Sequence, residues 1–265
     1  MITLSKKILK DHWLGIAMMG SSLLAYSWFL TALYPSIIKS MNIDAMIKKY
    51  PPALKAFFGG SFSFSTFEGY LNVEYFSLML IIFIAGFLIT YVTSELTKEV
   101  ETGTIETLLS LPLSRLTVIF TKWFNMVLIT IFLTLLAIAP LYLLAGPYDV
   151  SVSFKSFYLV TILSLLFFLA IGSFTMALSV LFNERSKALF IPIAILSFSY
   201  IWNAMGNLVH KIGHYRYLSV FYFYDTARAM TNKQISYKDI LFFSIVILLS
   251  TAFTFIWFKK RDFAV

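Results

Sequence analysis

Residues able to do chemistry are scarce in this 265-residue chain, and they fall in few places. There is no cysteine, which excludes disulfides and thiolate metal sites. The histidines stand at positions 12, 210 and 214. His210 and His214 could share a helical face and ligate a metal, but no cysteine or nearby carboxylate completes a ligand set. Interfacial side chains are the better reading, beside Tyr215, Tyr217, Phe221, Tyr222, Phe223 and Tyr224, which form an aromatic belt at the outer membrane surface. Asn125, Asn203 and Asn207 are amides inside apolar stretches, and the last two lie four apart on one face. Such amides can line a translocation path. More often they bond neighbouring helices, at about 0.6 kcal/mol on average. The densest polar run is EVETGTIETLLSLPLSR, residues 99–115. Glu95, Glu99, Glu101 and Glu106 fall within twelve residues, with only Lys98 opposing them.

The elements that must hold these residues are apolar. The chain is 59% hydrophobic and 13% charged, where a soluble domain carries about 25% charged residues. Integral membrane protein is the class that fits. The formal charge of +8 suits anionic lipid headgroups, and nothing offers a soluble basic domain for nucleic acid. Six apolar stretches are long enough to cross a bilayer: about 13–34, 75–92, 123–144, 158–182, 189–208 and 240–258. Pro35 ends the first, Gly146-Pro147 ends the third after Pro140 has bent it, and Pro192 kinks the fifth. The first apolar run is too long for the core of a cleavable signal peptide. Ser173 and Ala177 give the fourth stretch a small-xxx-small step that permits close helix approach. The predicted spans hold no Asp, Glu, Lys or Arg, which argues against an intramembrane enzyme.

The expectation is an all-α, polytopic, single-domain membrane protein over 1–265, with outer segments at about 36–73 and 209–239. An even number of spans puts both termini on one side. Eleven basic residues fall on that side and ten on the other. Proximity to span ends decides: Arg185 and Lys187 fill a tiny loop, and Lys259, Lys260 and Arg261 abut a span. The termini are therefore expected in the cytoplasm, in a cell membrane. Leu4, Ile8 and Leu9 oppose Lys6, Lys7 and Lys10 around a helix, which predicts an N-terminal interfacial helix. Glu74 is expected at the outer start of the second span, reaching water.

On this topology the run at 99–115 is cytoplasmic, and its acidic patch is repelled by anionic lipid. The stretch at about 102–112 has the parts of a short helix. Gly103 allows a sharp turn, Thr102 or Thr104 can cap, and Glu106 sits in the first turn, where negative charge is favoured. Ile105, Leu108 and Leu109 follow i, i+3, i+4 spacing, and Pro112 stops the helix. A short helix with a greasy face and no core of its own packs back on the spans or docks into another protein. Docking is the reading that accounts for so much local specification.

These residues resemble a run common in permease subunits of the ABC-2 type, E-x-E-x-G-T-x-E-x-L-L-S-x-P-x-S-R: here Glu99, Glu101, Gly103, Thr104, Glu106, Leu108, Leu109, Ser110, Pro112, Ser114 and Arg115, with Lys122 following. Thr102 and Val100 depart from it, standing where a basic and a charged residue are frequent. The likeness extends to KKYPPALKAFFGG, to RYLSVFYFYD (with Val220 where proline is common) and to the ending WFKKRDFAV. The resemblance implies an exporter's transmembrane subunit working by alternating access, paired as a homodimer or heterodimer. It implies a coupling helix at 102–112 seated in a separate ABC ATPase, present as two copies or two related chains. The docking residues would be Glu99, Glu101, Gly103, Thr104, Ile105, Glu106, Leu108, Leu109, Pro112 and Arg115. This chain would bind no cofactor and no metal. ATP and Mg would sit on the partner, in agreement with the lack of a Gly-x4-Gly-Lys-Ser/Thr loop here. The rival is a stand-alone membrane protein, an intramembrane enzyme or a sensor, which would not need a docking helix. Cargo is not legible, although a path with few charges leans toward amphipathic or lipid-like molecules.

Overall fold

The computed structural model describes residues 2–40, 66–103, 113–209 and 213–261. Six long helices carry the fold: α1 Ile2–Ser40, α2 Met79–Glu95, α3 Arg115–Ala145, α4 Phe154–Ser179, α5 Arg185–Leu208 and α6 Tyr237–Lys260. No strand occurs among the described residues. Each of these helices, with α2 extended by its flanking turns to Phe67–Glu101, is long and apolar enough to cross a membrane. All six expected spans are therefore present, and each helix overruns its predicted apolar stretch at one end or both.

The overruns have physical causes. α1 runs without a break from Ile2 through Pro35 to Ser40, so Pro35 does not end it, and the expected interfacial helix is its first turns. The predicted faces do separate: Ile8 is buried, Leu4 and Leu9 pack against the core, and Lys6, Lys7 and Lys10 are exposed. That apolar stripe meets protein, so these turns are a packed extension of the first span. α2 is preceded by a short helix at Phe67–Leu71 and a π-helical turn at Asn72–Phe76. Thr66 caps the short helix by accepting from the Gly69 amide at 3.2 Å. Glu74 is exposed, as expected.

α4 is the central helix and packs on α2, α3, α5 and α6, while α1 lies along α3. Val160, Leu163, Phe167 and Phe168 of α4 are completely enclosed. Ser173 and Ala177 are buried on it too, at a small-residue step between packed helices. α6 buries little and turns Leu241, Leu248, Leu249 and Ile256 outward. α5 does the same with Phe190, Phe198 and Ile201. In water such surfaces would aggregate. In a bilayer they face a solvent as apolar as themselves.

Pro140 stays inside α3. Its ring lacks an amide hydrogen and disturbs the hydrogen bonding of the preceding turn. The carbonyl of Ala137 in that turn accepts from Ser27 Oγ of α1 at 2.9 Å and from Tyr75 OH at 3.3 Å. Both donors are buried, so α1, the turn before α2 and α3 meet at one backbone oxygen. Ser27→Ala or Tyr75→Phe alone should cost about 0.6 kcal/mol, because the other donor remains. The double variant removes both side-chain donors and should cost more than the sum, because either one can serve when the other is absent. Thermal unfolding of the four proteins in detergent measures the difference.

Candidate docking site

The expected docking run enters and leaves through described residues, while 104–112 lies outside them. Thr104, Ile105, Glu106, Leu108, Leu109 and Pro112 therefore have no structural account here. The entrance is a five-residue helix, Thr97–Glu101, continuing the line of α2 after a disturbance at Leu96. Thr102 closes it as the C-cap, with its hydroxyl donating to the Lys98 carbonyl at 2.8 Å. Gly103 follows at φ 71°, a left-handed conformation that costs glycine least and commonly ends helices. Thr102 and Gly103 thus stop one helix, and a helix in the run must begin after them. The exit is Ser114, which caps α3 by accepting from the Thr117 amide at 3.1 Å.

Behind the run sits a buried ionic cluster. Lys122 projects from the first turns of α3, with its side chain only 1% exposed. Its ammonium lies 3.2 Å from Glu95 Oε2 and 2.7 Å from Glu99 Oε2, and it also donates to the Glu95 carbonyl. An ammonium has three hydrogens to place, and three oxygens meet it. Glu95 Oε1 lies 2.6 Å from His12 Nε2, which puts the hydrogen on that nitrogen when the carboxylate is ionised. The His12 ring meets Tyr91 edge-on at 4.9 Å. Two turns earlier in α1, Ser5 donates to Asn125 Oδ1 at 2.6 Å. α1, α2 and α3 are pinned together at the root of the docking run. Glu95, Lys122 and Asp239 lie just beyond the predicted apolar stretches, in helical turns that extend them.

A second set of bonds ties the run to the other half of the bundle. Glu101 is exposed and accepts from the Arg185 amide at 3.0 Å, and Arg185 Nη2 donates to Ser94 Oγ at 3.0 Å. Thr97 donates to the carbonyl of Ser179, at the end of α4, at 3.3 Å. Arg115 donates to the Arg261 carbonyl at 2.6 Å, and the Arg261 guanidinium reaches the Val180 carbonyl and Asn183 Oδ1. Partial burial of Arg261 lowers its pKa below the usual guanidinium value.

The predicted residues therefore divide. Glu99 points inward to Lys122, Glu101 stays at the surface, and Arg115 braces the C-terminal tail. Val100, a departure from the resembled pattern, packs against the core. Asn125 bonds α1, as helix glue does. Asn203 lies at the opposite end of the bundle and accepts from Arg216 at 3.2 and 3.3 Å. Asn207, one turn on, is half-buried. The aromatic crowd also divides: Tyr215, Tyr217 and Tyr222 are exposed, but Phe221 and Tyr224 fold inward. Tyr224 stacks on Phe167 at 4.1 Å and pairs with Ser164 at 3.0 Å, and burial raises its hydroxyl pKa. His12, Ser5, Arg185 and Arg261 were not anticipated in these roles. His12 did carry a signal, since Leu4, Ile8 and His12 form an i, i+4, i+8 row on the buried face.

A family model for the ABC-2 family transporter protein matches residues 18–263. The chain belongs to this family. A search of curated proteins returns no match. The ABC-2 chain is thus a multi-pass transmembrane subunit of a non-catalytic permease family, and the family implies an ATPase partner.

The cluster predicts an asymmetric mutational pattern. Lys122→Met should destabilise by about 3–5 kcal/mol, because it strands Glu95 in a buried site. Adding Glu95→Gln to Lys122→Met should recover part of that loss. Glu99→Gln, at a more exposed carboxylate, should cost less than either single change at the buried pair. Thermal unfolding in detergent and membrane-fraction yield read all four proteins.

Proposed function

We propose that this chain is the permease of an exporter in which a coupling helix within 102–112 seats in a groove of a separate ATPase. ATP and Mg bind that ATPase, two copies or two related chains of which serve a pair of permeases, as a homodimer or heterodimer. The termini and the run lie in the cytoplasm of a cell-membrane protein, and 1–265 acts as one transmembrane domain. Closure of the ATPases moves the run, and the spans answer by alternating access.

The observation that supports this reading is the rooting of the run. Its entrance and exit are held by Lys122, Glu95 and Glu99, with His12 drawing in the first span. An ordinary turn between two spans needs no such anchorage. A lever does, because a displacement applied at 104–112 must reach the helices without being absorbed by local bending. Glu101, Glu106 and the apolar set Ile105, Leu108 and Leu109 are the docking contacts in this scheme, with Gly103 and Pro112 setting the ends. Glu99 contributes by positioning. Membrane lipid surrounds the exposed faces of α5 and α6, and no nucleic acid takes part.

Glu101→Lys with Glu106→Lys should reduce co-purification of the ATPase at least tenfold, about 1.4 kcal/mol, and abolish ATP-dependent transport in membrane vesicles. The folded permease should still be recovered at normal yield. Undiminished assembly and transport would remove the docking assignment.

A further inference from the structure

A cavity of about 380 Å³ opens at the end of the bundle away from the termini. It lies between the end of α5, the start of α6 and the segment 213–236. Its size falls within the range of small-molecule sites. Its walls carry three cations, Arg216, Arg228 and Lys238, and two carboxylates, Asp225 and Asp239. Both carboxylates are committed to Arg228, at 3.6 Å and 2.6 Å. Asp239 is further engaged in capping α6 with Ser236. Among the described residues, Arg216 and Lys238 have no carboxylate partner, and the cavity is left with an uncompensated positive charge.

Arg216 is held in place by neutral groups. Its guanidinium gives two hydrogen bonds to the single oxygen of Asn203 and lies 5.7 Å above the ring of Tyr222. Its stem crosses Gly206, where a β-carbon would overlap Cγ and Cδ of the arginine. The segment before it is pinned by Trp202 Nε1 donating to the Tyr215 carbonyl at 3.1 Å. An arginine that is clamped on three sides and lacks a counter-charge is pre-organised for an anion, since its planar fork suits phosphate or carboxylate. Tyr200 and Phe221 add an apolar wall beside it.

We propose that this cavity binds one small anionic amphiphile, its phosphate or carboxylate on Arg216 and Lys238 and its apolar part against the aromatic wall. The site stands apart from the coupling role of the opposite end. Its position at the ends of spans matches the depth of lipid headgroups, and a soluble phosphate ester offers the same chemistry.

The test uses the full chain in neutral detergent. Native mass spectrometry and thermal unfolding follow titration with phosphatidylglycerol or with phosphatidylcholine of the same chain length. Phosphatidylglycerol should bind at one per chain, and Arg216→Gln should weaken it about tenfold. Gly206→Ala should weaken it through the displaced stem, and Lys238→Gln, an exposed change safe for folding, should do so by a smaller factor. Lys155→Gln, on the same face but outside the cavity, should not. Phosphatidylcholine should be indifferent to all four. Competition by sodium phosphate distinguishes the sources: displacement assigns the site to a soluble phosphate ester, and no displacement to a lipid headgroup. Equal phosphatidylglycerol affinity in wild type, Arg216→Gln and Lys238→Gln would overturn the proposal.

Discussion

The ammonium of Lys122 is the constraint on which the rest of the arrangement depends. A buried cation in a membrane helix is costly unless its hydrogens and its charge are both answered. Here the answers come from Glu95 and Glu99, one turn apart on one stretch of chain, and from the Glu95 carbonyl. Glu95 in turn binds His12. The register of α3 against α2, and of α1 against both, is thereby set by a few atoms. Apolar packing alone would set it loosely, because helices in a bilayer gain little from hiding apolar surface from an apolar solvent. Polar bonds carry the specificity that the hydrophobic effect supplies in water. The joint at the Ala137 carbonyl does the same deeper in the bundle, where Ser27 and Tyr75 meet α3.

The spans were legible because length and apolarity are properties of single segments. Where they end was less legible, since those ends rest on tertiary bonds. α1 continues past Pro35 because the proline's missing amide costs only one bond in an otherwise supported helix. The first turns of α1 are held by Ile8 packing and by the bonds of Ser5 and His12. The acidic run read as one patch opposed by Lys98 alone, because Lys122 is 27 residues from Glu95 and no spacing rule connects them. The resemblance to the ABC-2 pattern marked Lys122 without giving it a role. The structure supplies the role and divides the glutamates, Glu95 and Glu99 inward and Glu101 outward.

The segment 213–236 shows the same limit. Its aromatics read as a belt because composition cannot tell a ring that faces headgroups from one that faces a helix. Ser199 decides the matter. Its hydroxyl accepts from the Val220 amide at 2.9 Å, and its carbonyl accepts from Ser219 at 2.8 Å. These bonds fold the segment back on α5, so Phe221 and Tyr224 are driven into the core while Tyr217 and Tyr222 stay out.

The two ends of the bundle handle charge in opposite ways, and the contrast bears on mechanism. At the end with the termini, the buried lysine is matched by glutamates, and the neighbouring arginines are spent on backbone, amide and hydroxyl oxygens. A matched cluster resists being pulled apart, because separating its charges would leave each one buried alone. A force entering at 104–112 therefore meets α1, α2 and α3 as one body. It reaches α4 and α5 through apolar packing and through separate bonds, among them Thr97 to the Ser179 carbonyl, the Arg185 amide to Glu101, and Arg185 to Ser94. These bonds pair no buried opposite charges and cost less to exchange. In a permease driven from that end, relative movement should fall between the α1–α3 unit and the α4–α6 unit, with α4 as the sliding surface. On α4, Gly172 lies against Met126 of α3, a contact without charge that can shift with small loss.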